Sequence, residues 1–281
     1  MGHLSPDAIH VIVEALKLAF ADRDACYADP LFADVPLDAL LSRPYAEMRR
    51  KLIDRAAASA TTRPGDPINM KPLTPAGEIR PKPGGTTTCV TADRWGNVVA
   101  ATPSCNSPYS VCPETGVSHG RRLRCLNTNP DHPNCIAPGK RPCITLTPTL
   151  ILRDGVAVGA ISVAGGDLQD QTTLNVLLNH IEFGMMPEAA VSRPRFSTSH
   201  HEGSFSPRAD RRDAFLKPAS LKINESVDAE TIEDLKRRGH QIETTGEKIG
   251  SPVMLLREFG SGMIHAAGDP LAKRNVGAIE D

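Results

Sequence analysis

The chain has 281 residues, enough for one large domain or two ordinary ones. Apolar residues make up 40% and charged residues 23%, the balance of a protein that buries a core rather than one that stays disordered. Net charge is −1, from 32 basic and 33 acidic residues, which excludes a broad electrostatic footprint for nucleic acid or acidic lipid, and no apolar run reaches membrane-spanning length. The opening Met1-Gly2-His3-Leu4-Ser5-Pro6 lacks a signal-peptide pattern, so a complete chain is expected in the cytoplasm; a chain missing an upstream part is expected in the periplasm or outside the cell.

Ser5 and Pro6 read as an N-cap and first helical position. Ile9, Ile12, Val13, Leu16 and Phe20 then recur at helical spacing, which predicts an amphipathic helix over residues 6–24 with Glu14, Lys17 and Arg23 on the opposite face. A second helix is expected from Pro44 to Ala58, with Met48, Leu52 and Ile53 on one face. From Thr61 to Gly85 the chain is rich in Pro, Gly and Thr without periodicity, and reads as an exposed linker. It ends at Gly84-Gly85, and a β-branched strand starts at Thr86. A break at Gly85–Thr86 would leave Thr86 with both a hydroxyl and a free α-amine, a nucleophile carrying its own base.

Two hairpins follow. In the first, Thr86–Asp93 and Asn97–Ser104 flank Arg94-Trp95-Gly96; a tight turn sets Thr86 opposite Ser104 or Cys105, with Asn106 just beyond. In the second, Thr147–Arg153 and Val156–Val163 flank Asp154-Gly155, which sets Ile144 and Thr145 opposite Gly165 and Ala164. Gly165-Gly166 opens a helix from Leu168 to Phe183, with Leu174, Leu177, Leu178 and Ile181 expected on its buried face. A glycine pair there lets bare N–H groups approach a developing negative charge. A short helix at Pro187–Val191 comes next, then a polar stretch in which His200-His201 reads as a solvated loop. The end reads strand (Ser220–Ile223), helix (Asp228–Arg238), strand (Gln241–Thr244) and a last hairpin around Glu258-Phe259-Gly260. This order suggests a layered α+β sandwich. Six of the seven cysteines lie between Cys89 and Cys143 without a C-x-x-C, which argues for buried or loop thiols over a metal site, although His119 and His132 share that stretch.

The ordered words Thr86-Thr87 with Asp93, Gly96 and Asn97, Ser104-Cys105-Asn106, Pro138-Gly139-Lys140-Arg141-Pro142, Thr147-Pro148-Thr149, Gly165-Gly166, Ala190 and Pro194-Arg195-Phe196 resemble the γ-glutamyltransferase family of N-terminal-nucleophile hydrolases. The first helix, with His10, Glu14-Ala15, Lys17-Leu18-Ala19-Phe20-Ala21-Asp22-Arg23 and then Asp29-Pro30, looks like the end of that family's large subunit. The resemblance implies a four-layer αββα sandwich. It divides the chain into a helical large-subunit-like region (1–60), a linker ending at an autocleavage site between Gly85 and Thr86 (61–85), and a small-subunit-like catalytic region (86–281). Thr86 would be the nucleophile, Ser104 its supporting hydroxyl, Asn106 a substrate contact, and Gly165 and Gly166 the oxyanion hole. No metal or organic cofactor is implied.

The departures fall on substrate recognition. The family's paired serines correspond to Ile144 and Thr145, so one hydroxyl is missing. Asn129 and Asp131 stand where groups for the substrate amine belong. Arg121, Arg122 and Arg124 offer a replacement for an upstream arginine, with solvated charge as their plainer role. The expected substrate is a small γ-glutamyl amide, with another N-acyl amide as the alternative. The expected partner is a large-subunit-like chain or a second copy; a fragment silent without its partner is a further alternative. Absence of the upstream half would expose apolar surface on the first helix.

Overall fold

The computed structural model describes residues 1–72, 86–104, 111–116, 120, 122–205, 207 and 217–279. Helix α1 (Pro6–Cys26) starts where Ser5 Oγ accepts from the Ala8 N–H, and stops where the Tyr27 N–H bonds the Arg23 carbonyl. Its apolar surface is covered within this chain. Ile9 and Val13, both 0% exposed, pack among Phe196, Leu221, Ile223, Val227, Ile232 and Leu235. The expected exposure is therefore absent, and so is the solvated face: Glu14 and Lys17 are buried. Lys17 Nζ pairs with Glu14 at 2.6 Å and reaches the Ser59 carbonyl, while Arg63 takes the other Glu14 oxygen at 2.7 Å. These partners come from a distant segment that returns over the helix, so spacing within the helix does not reveal them.

After a short α2 (Leu37–Leu40), α3 (Arg43–Arg50) is capped by Ser42 and ends well short of Ala58. The residues beyond it bond elsewhere: Asp54 O lies 2.7 Å from His10 Nε2, and Ala58 N donates to Arg238 O. The expected exposed linker is packed at its start. Thr62, Pro64, Gly65 and Pro67 are buried, Gly65 N donates to Asp22 Oδ1, and β1 (Gly65–Asp66) pairs with β2 (Lys71–Pro72).

Strands β3 (Cys89–Ala92) and β4 (Val98–Ala101) pair from Cys89↔Ala101 to Ala92↔Val98. Asp93 closes their turn by accepting from the Trp95 and Asn97 N–H groups, and Gly96 takes φ +92°. In the second hairpin β5 (Thr149–Arg153) meets β6 (Val156–Ala164) through Asp154 and Gly155, both at positive φ, as a tight hairpin turn requires. A register shift follows at Ile151/Leu152, and β5 begins only at Thr149. The β5–β6 ladder therefore stops at Thr149↔Ile161, short of the expected pairing of Ile144 and Thr145 with Gly165 and Ala164; on its other side β6 continues to Ala164, which pairs with Ser251.

Helix α4 (Leu168–Ile181) leads to α5 (Pro187–Ser192), β7 (Phe196–Ser197), β8 (Ser220–Asn224), α6 (Ala229–Arg237), β9 (Gln241–Thr245), β10 (Ser251–Arg257) and β11 (Ile264–Gly268). The largest sheet runs β11-β10-β6-β5, a second runs β7-β8-β9, and β8 and β9 are parallel across α6. On β6, Ile161 and Val163 pack toward Val176 of α4, while Ser162 bonds to the β3–β4 hairpin. Successive strand residues face opposite ways, so helices cover one face of this sheet and the hairpin covers the other. The result is a mixed α/β protein with several sheets. Among the described residues no helix is long and apolar enough to cross a membrane.

The buried side of α4 is not its leucine side. Gln169, Gln171, Thr172, Asn175, Val176 and Asn179 are buried, whereas Leu174, Leu177 and Leu178 are half-buried and Ile181 is 58% exposed. Gln171 explains why: its amide donates to Thr198 O and accepts from Thr198 N, reading one backbone unit in both directions. A buried amide satisfied in this way escapes the cost of desolvation.

Candidate active site

Thr86 lies beyond the regular ladder in the register that β3 and β4 set. Thr87 N donates to Pro103 O at 3.0 Å, and Thr86 Oγ1 donates to Ser104 Oγ at 3.1 Å. Pro103 has no N–H to continue the ladder, which ends regular pairing and leaves the two hydroxyl residues at the open end. The hairpin end is pinned from below. Ser162 Oγ donates to Ala101 O at 2.8 Å and lies 2.8 Å from Thr102 Oγ1. Since the Ser162 proton is used on Ala101, Thr102 is the donor in the second bond. Ser162 is 0% exposed, a lone hydroxyl in an apolar strand, and the sequence reading passed over it.

Ser162 stands three residues before Gly165, a span of about 10 Å along a strand. Gly165 has φ +152° and Gly166 φ +61°, in the region that favours glycine. A Cβ on Gly166 would come within 3.1 Å of the Phe205 ring. The turn opens α4 directly, with the Leu168 and Gln169 N–H groups donating to the Gly165 and Gly166 carbonyls. Asp167, the N-cap residue, binds Arg23 at 2.9 Å and accepts from both the N–H and the hydroxyl of Ser204. Burial pushes the Asp167 pKa up, but Arg23 and Ser204 outweigh it and hold the carboxyl below its usual range. The helix entrance is thereby fixed from α1 and from the 198–205 segment together.

His200 and His201 belong to that segment and are buried, not solvated. His200 Nδ1 accepts from Ala219 N and its Nε2 faces Thr61 O at 3.2 Å. Burial, with Lys17 nearby, lowers its pKa to about 3. His201 packs on Phe20 with ring centroids 4.6 Å apart.

Thr145 is 3% exposed and accepts from Arg122 Nη1 at 3.2 Å, while Ile144 is 59% exposed. Arg122 and Arg124 are half-buried over the Phe205 ring rather than solvated; Arg121 lies outside the described residues. Asn129 and Asp131 form a local turn in which Asn129 Oδ1 accepts from Asp131 N; Asp131 is exposed, and neither bonds to Thr86 or the glycine pair among the described residues. Gly85 and Asn106 lie outside the described residues, as do Cys105 and His119. Cys89, Cys112, Cys125, Cys135 and Cys143 are free thiols.

Two of the family words are architectural. Arg141 grips Asp29 through its backbone N–H and its guanidinium, with Nη2 at 2.7 Å, which ties the 127–145 loop to the end of α1. Arg195 is buried with its guanidinium on Asp269 and on the Ile249 and Val191 carbonyls.

Residues 1–279 match the profile of the Gamma-glutamyltranspeptidase family, and the chain belongs to that family. The resemblance read from the words around Thr86 therefore holds. Among individual proteins, the chain is similar to the Glutathione hydrolase proenzyme of Bacillus subtilis strain 168, 28% identical over 280 residues, covering 96% of this chain and 44% of that one. It is also similar to the Acylase ACY 1 proenzyme of Pseudomonas sp. strain SE83, 31% identical over 245 residues, covering 86% of this chain and 38% of that one. The crystal structure of cephalosporin acylase from Bacillus halodurans superposes with a TM-score of 0.79 at 27% identity, over 99% of this chain and 46% of that one. The chain spans less than half the length of these relatives.

Proposed function

We propose that the chain carries the nucleophile of an autoprocessing amidohydrolase or acyltransferase, with Thr86 as that nucleophile. The observation that carries the reading is the Thr86 Oγ1–Ser104 Oγ hydrogen bond at the open end of the β3–β4 hairpin. A break between Gly85 and Thr86 frees the α-amine. The Thr86 hydroxyl then attacks the amide carbonyl, its proton passes to the α-amine, and the leaving amine takes that proton as the C–N bond breaks. Ser104 orients the attacking oxygen, and N–H groups at Gly165-Gly166 receive the oxyanion. Water, or an amine, attacks the acyl ester and regenerates Thr86. The four-layer αββα arrangement and Asn106, Asn129 and Asp131 as substrate contacts belong to the same reading.

Intact mass of the purified protein tests it. Two species divided before Thr86 are expected, and Thr86→Ala is expected to abolish both the division and amide hydrolysis. An undivided 30.1 kDa chain that still hydrolyses amides would move the nucleophile elsewhere.

A γ-glutamyl amide is the first substrate expected. The exposed Ile144 and the named acylase relatives favour a second reading, an acylase for other N-acyl amides. Comparing γ-glutamyl and simple acyl anilides separates the two. A large-subunit-like partner is supported by β5, an edge strand with Leu150 and Leu152 exposed. Activity of the purified chain by itself would remove the need for that partner.

A further inference from the structure

Helix α4 buries the amide side chains of Gln169, Gln171, Asn175 and Asn179, and the last three are bonded. Gln171 donates to the Asp167 and Thr198 carbonyls and accepts from Thr198 N, Asn175 donates to Gln171 O, and Asn179 donates to Ala190 O. Gln169 is the exception. It is 0% exposed, and neither its Nε2 nor its Oε1 has a hydrogen-bond partner among the described residues. A buried donor and acceptor left unmatched cost stability, so an amide at this position calls for a reason other than the fold.

Its place supplies one. Gln169 shares a helix face with Thr173, whose hydroxyl lies 3.3 Å from Thr147 Oγ1, and with Val176, which packs on Ile161 and Val163 of β6. That face looks at the sheet, and a helical side chain lies over the turn N-terminal to its own Cα. For Gln169 that turn is Gly165-Gly166. Gly165 is exposed, so the turn is open on one side and backed by this amide on the other. Two residues further along, Gln171 Nε2 reaches the carbonyl four residues back, Asp167 O, at 3.1 Å. The same reach takes Gln169 Nε2 to Gly165 O, which accepts from Leu168 N and keeps a second lone pair.

Gly165 O and Gly166 N–H belong to one peptide unit. A hydrogen bond received at the oxygen draws charge from the nitrogen and makes the N–H a stronger donor; negative charge at the N–H in turn makes the oxygen a better acceptor. We propose that Gln169 is a positioning residue for the oxyanion turn: its amide stays unengaged in the resting protein and donates to Gly165 O as charge builds at Gly166 N–H. An amide already committed, as Gln171 is, cannot respond in this way without breaking its bonds. The proposal rests on the reading of Gly165-Gly166 as the oxyanion site of an acyl transfer.

Gln169→Met keeps the volume and removes the amide. Thermal unfolding followed by circular dichroism on the full Thr86→Ala chain should show the midpoint rise by about 2 °C or more when Gln169→Met is added, because the unmatched pair is gone. With Thr86 in place, the same substitution should lower kcat by about tenfold on butyryl and γ-glutamyl p-nitroanilides alike, with KM within about twofold; a direct oxyanion donor is worth about 10²–10³ in kcat, and Gln169 acts one bond removed. An amide with a purely structural role would move stability and kcat downward together. An unchanged or lower midpoint, an unchanged kcat, a loss carried by KM, or a loss confined to one acyl group each overturns the proposal. Turnover that survives Thr86→Ala yet falls with Gln169→Met counts against Thr86 alone. Turnover abolished by Thr86→Ala yet untouched by Gln169→Met counts against Gln169 alone, and absence of turnover in the purified protein sinks both.

Discussion

Ser162→Ala tests whether the hairpin end that carries Thr86 and Ser104 is held by one buried hydroxyl. The substitution removes two hydrogen bonds of 2.8 Å each, to Ala101 O and from Thr102 Oγ1. Thr102 is only 6% exposed, so its hydroxyl is left without water or partner. One such orphaned group costs about 1–3 kcal/mol, and a chain of this size loses about 2–4 °C of midpoint per kcal/mol. Pairing it with Thr102→Val removes the orphan, so the double variant should lose less than the two singles together, by about 1 kcal/mol. Urea denaturation of the four proteins measures that coupling. Kinetics on an anilide substrate measures its consequence: loosening the hairpin end should lower kcat about tenfold or more with a smaller change in KM. Strictly additive stabilities, or a destabilised Ser162→Ala with unchanged kcat, would refute the claim that this bond positions the site.

Asp269→Asn leaves the buried Arg195 guanidinium unpaired and should cost about 3–5 kcal/mol in urea denaturation, while Arg195→Met with Asp269→Leu should recover much of it. Burial lowers the pKa values of His200 and His240 to about 3, so both are neutral when folded and bind protons more readily when unfolded. Their contribution to stability is therefore full above about pH 6.5 and is lost as pH falls toward 3, by up to about 1.4 kcal/mol per pH unit for each histidine. Stability profiles from pH 7 to 4, with His240→Phe flattening the slope, check this. Gly166→Ala, at φ +61° and against Phe205, should cost about 1–2 kcal/mol and lower hydrolysis of every amide alike; selective loss on one acyl group would contradict an oxyanion role.

The hairpin carrying Thr86 was legible because its register follows from a local turn: Asp93 and Gly96 close it, and the pairing of Cys89 with Ala101 carries forward to Thr86 and Ser104. The N-caps Ser5, Ser42 and Asp228 were legible for the same local reason, although only the first and last were read as helix starts at those positions. Apolar periodicity misled where polar groups are buried. Glu14, Lys17 and Gln171 look like solvent-facing residues until Arg63, Ser59 and Thr198 return from elsewhere in the chain to satisfy them. His200 and His201 misled similarly, since a short polar stretch reads as loop whether or not another segment covers it. The strand β10, which separates β11 from β6, is a long-range choice that no local pattern encodes.

The interlocking of α1 with the later half of the chain bears on what the break before Thr86 would release. Arg141 holds Asp29, Arg23 holds Asp167, Arg238 holds Asp7, His10 faces His240, and Ile9 and Val13 sit in a core made by β7, β8 and α6. Every one of these contacts joins a residue before Thr86 to one after it. Opening the backbone there would not liberate a fragment. The severed protein would travel as one particle in native conditions and separate into two only in denaturant, with the new amine arising between two pieces that these contacts already hold together.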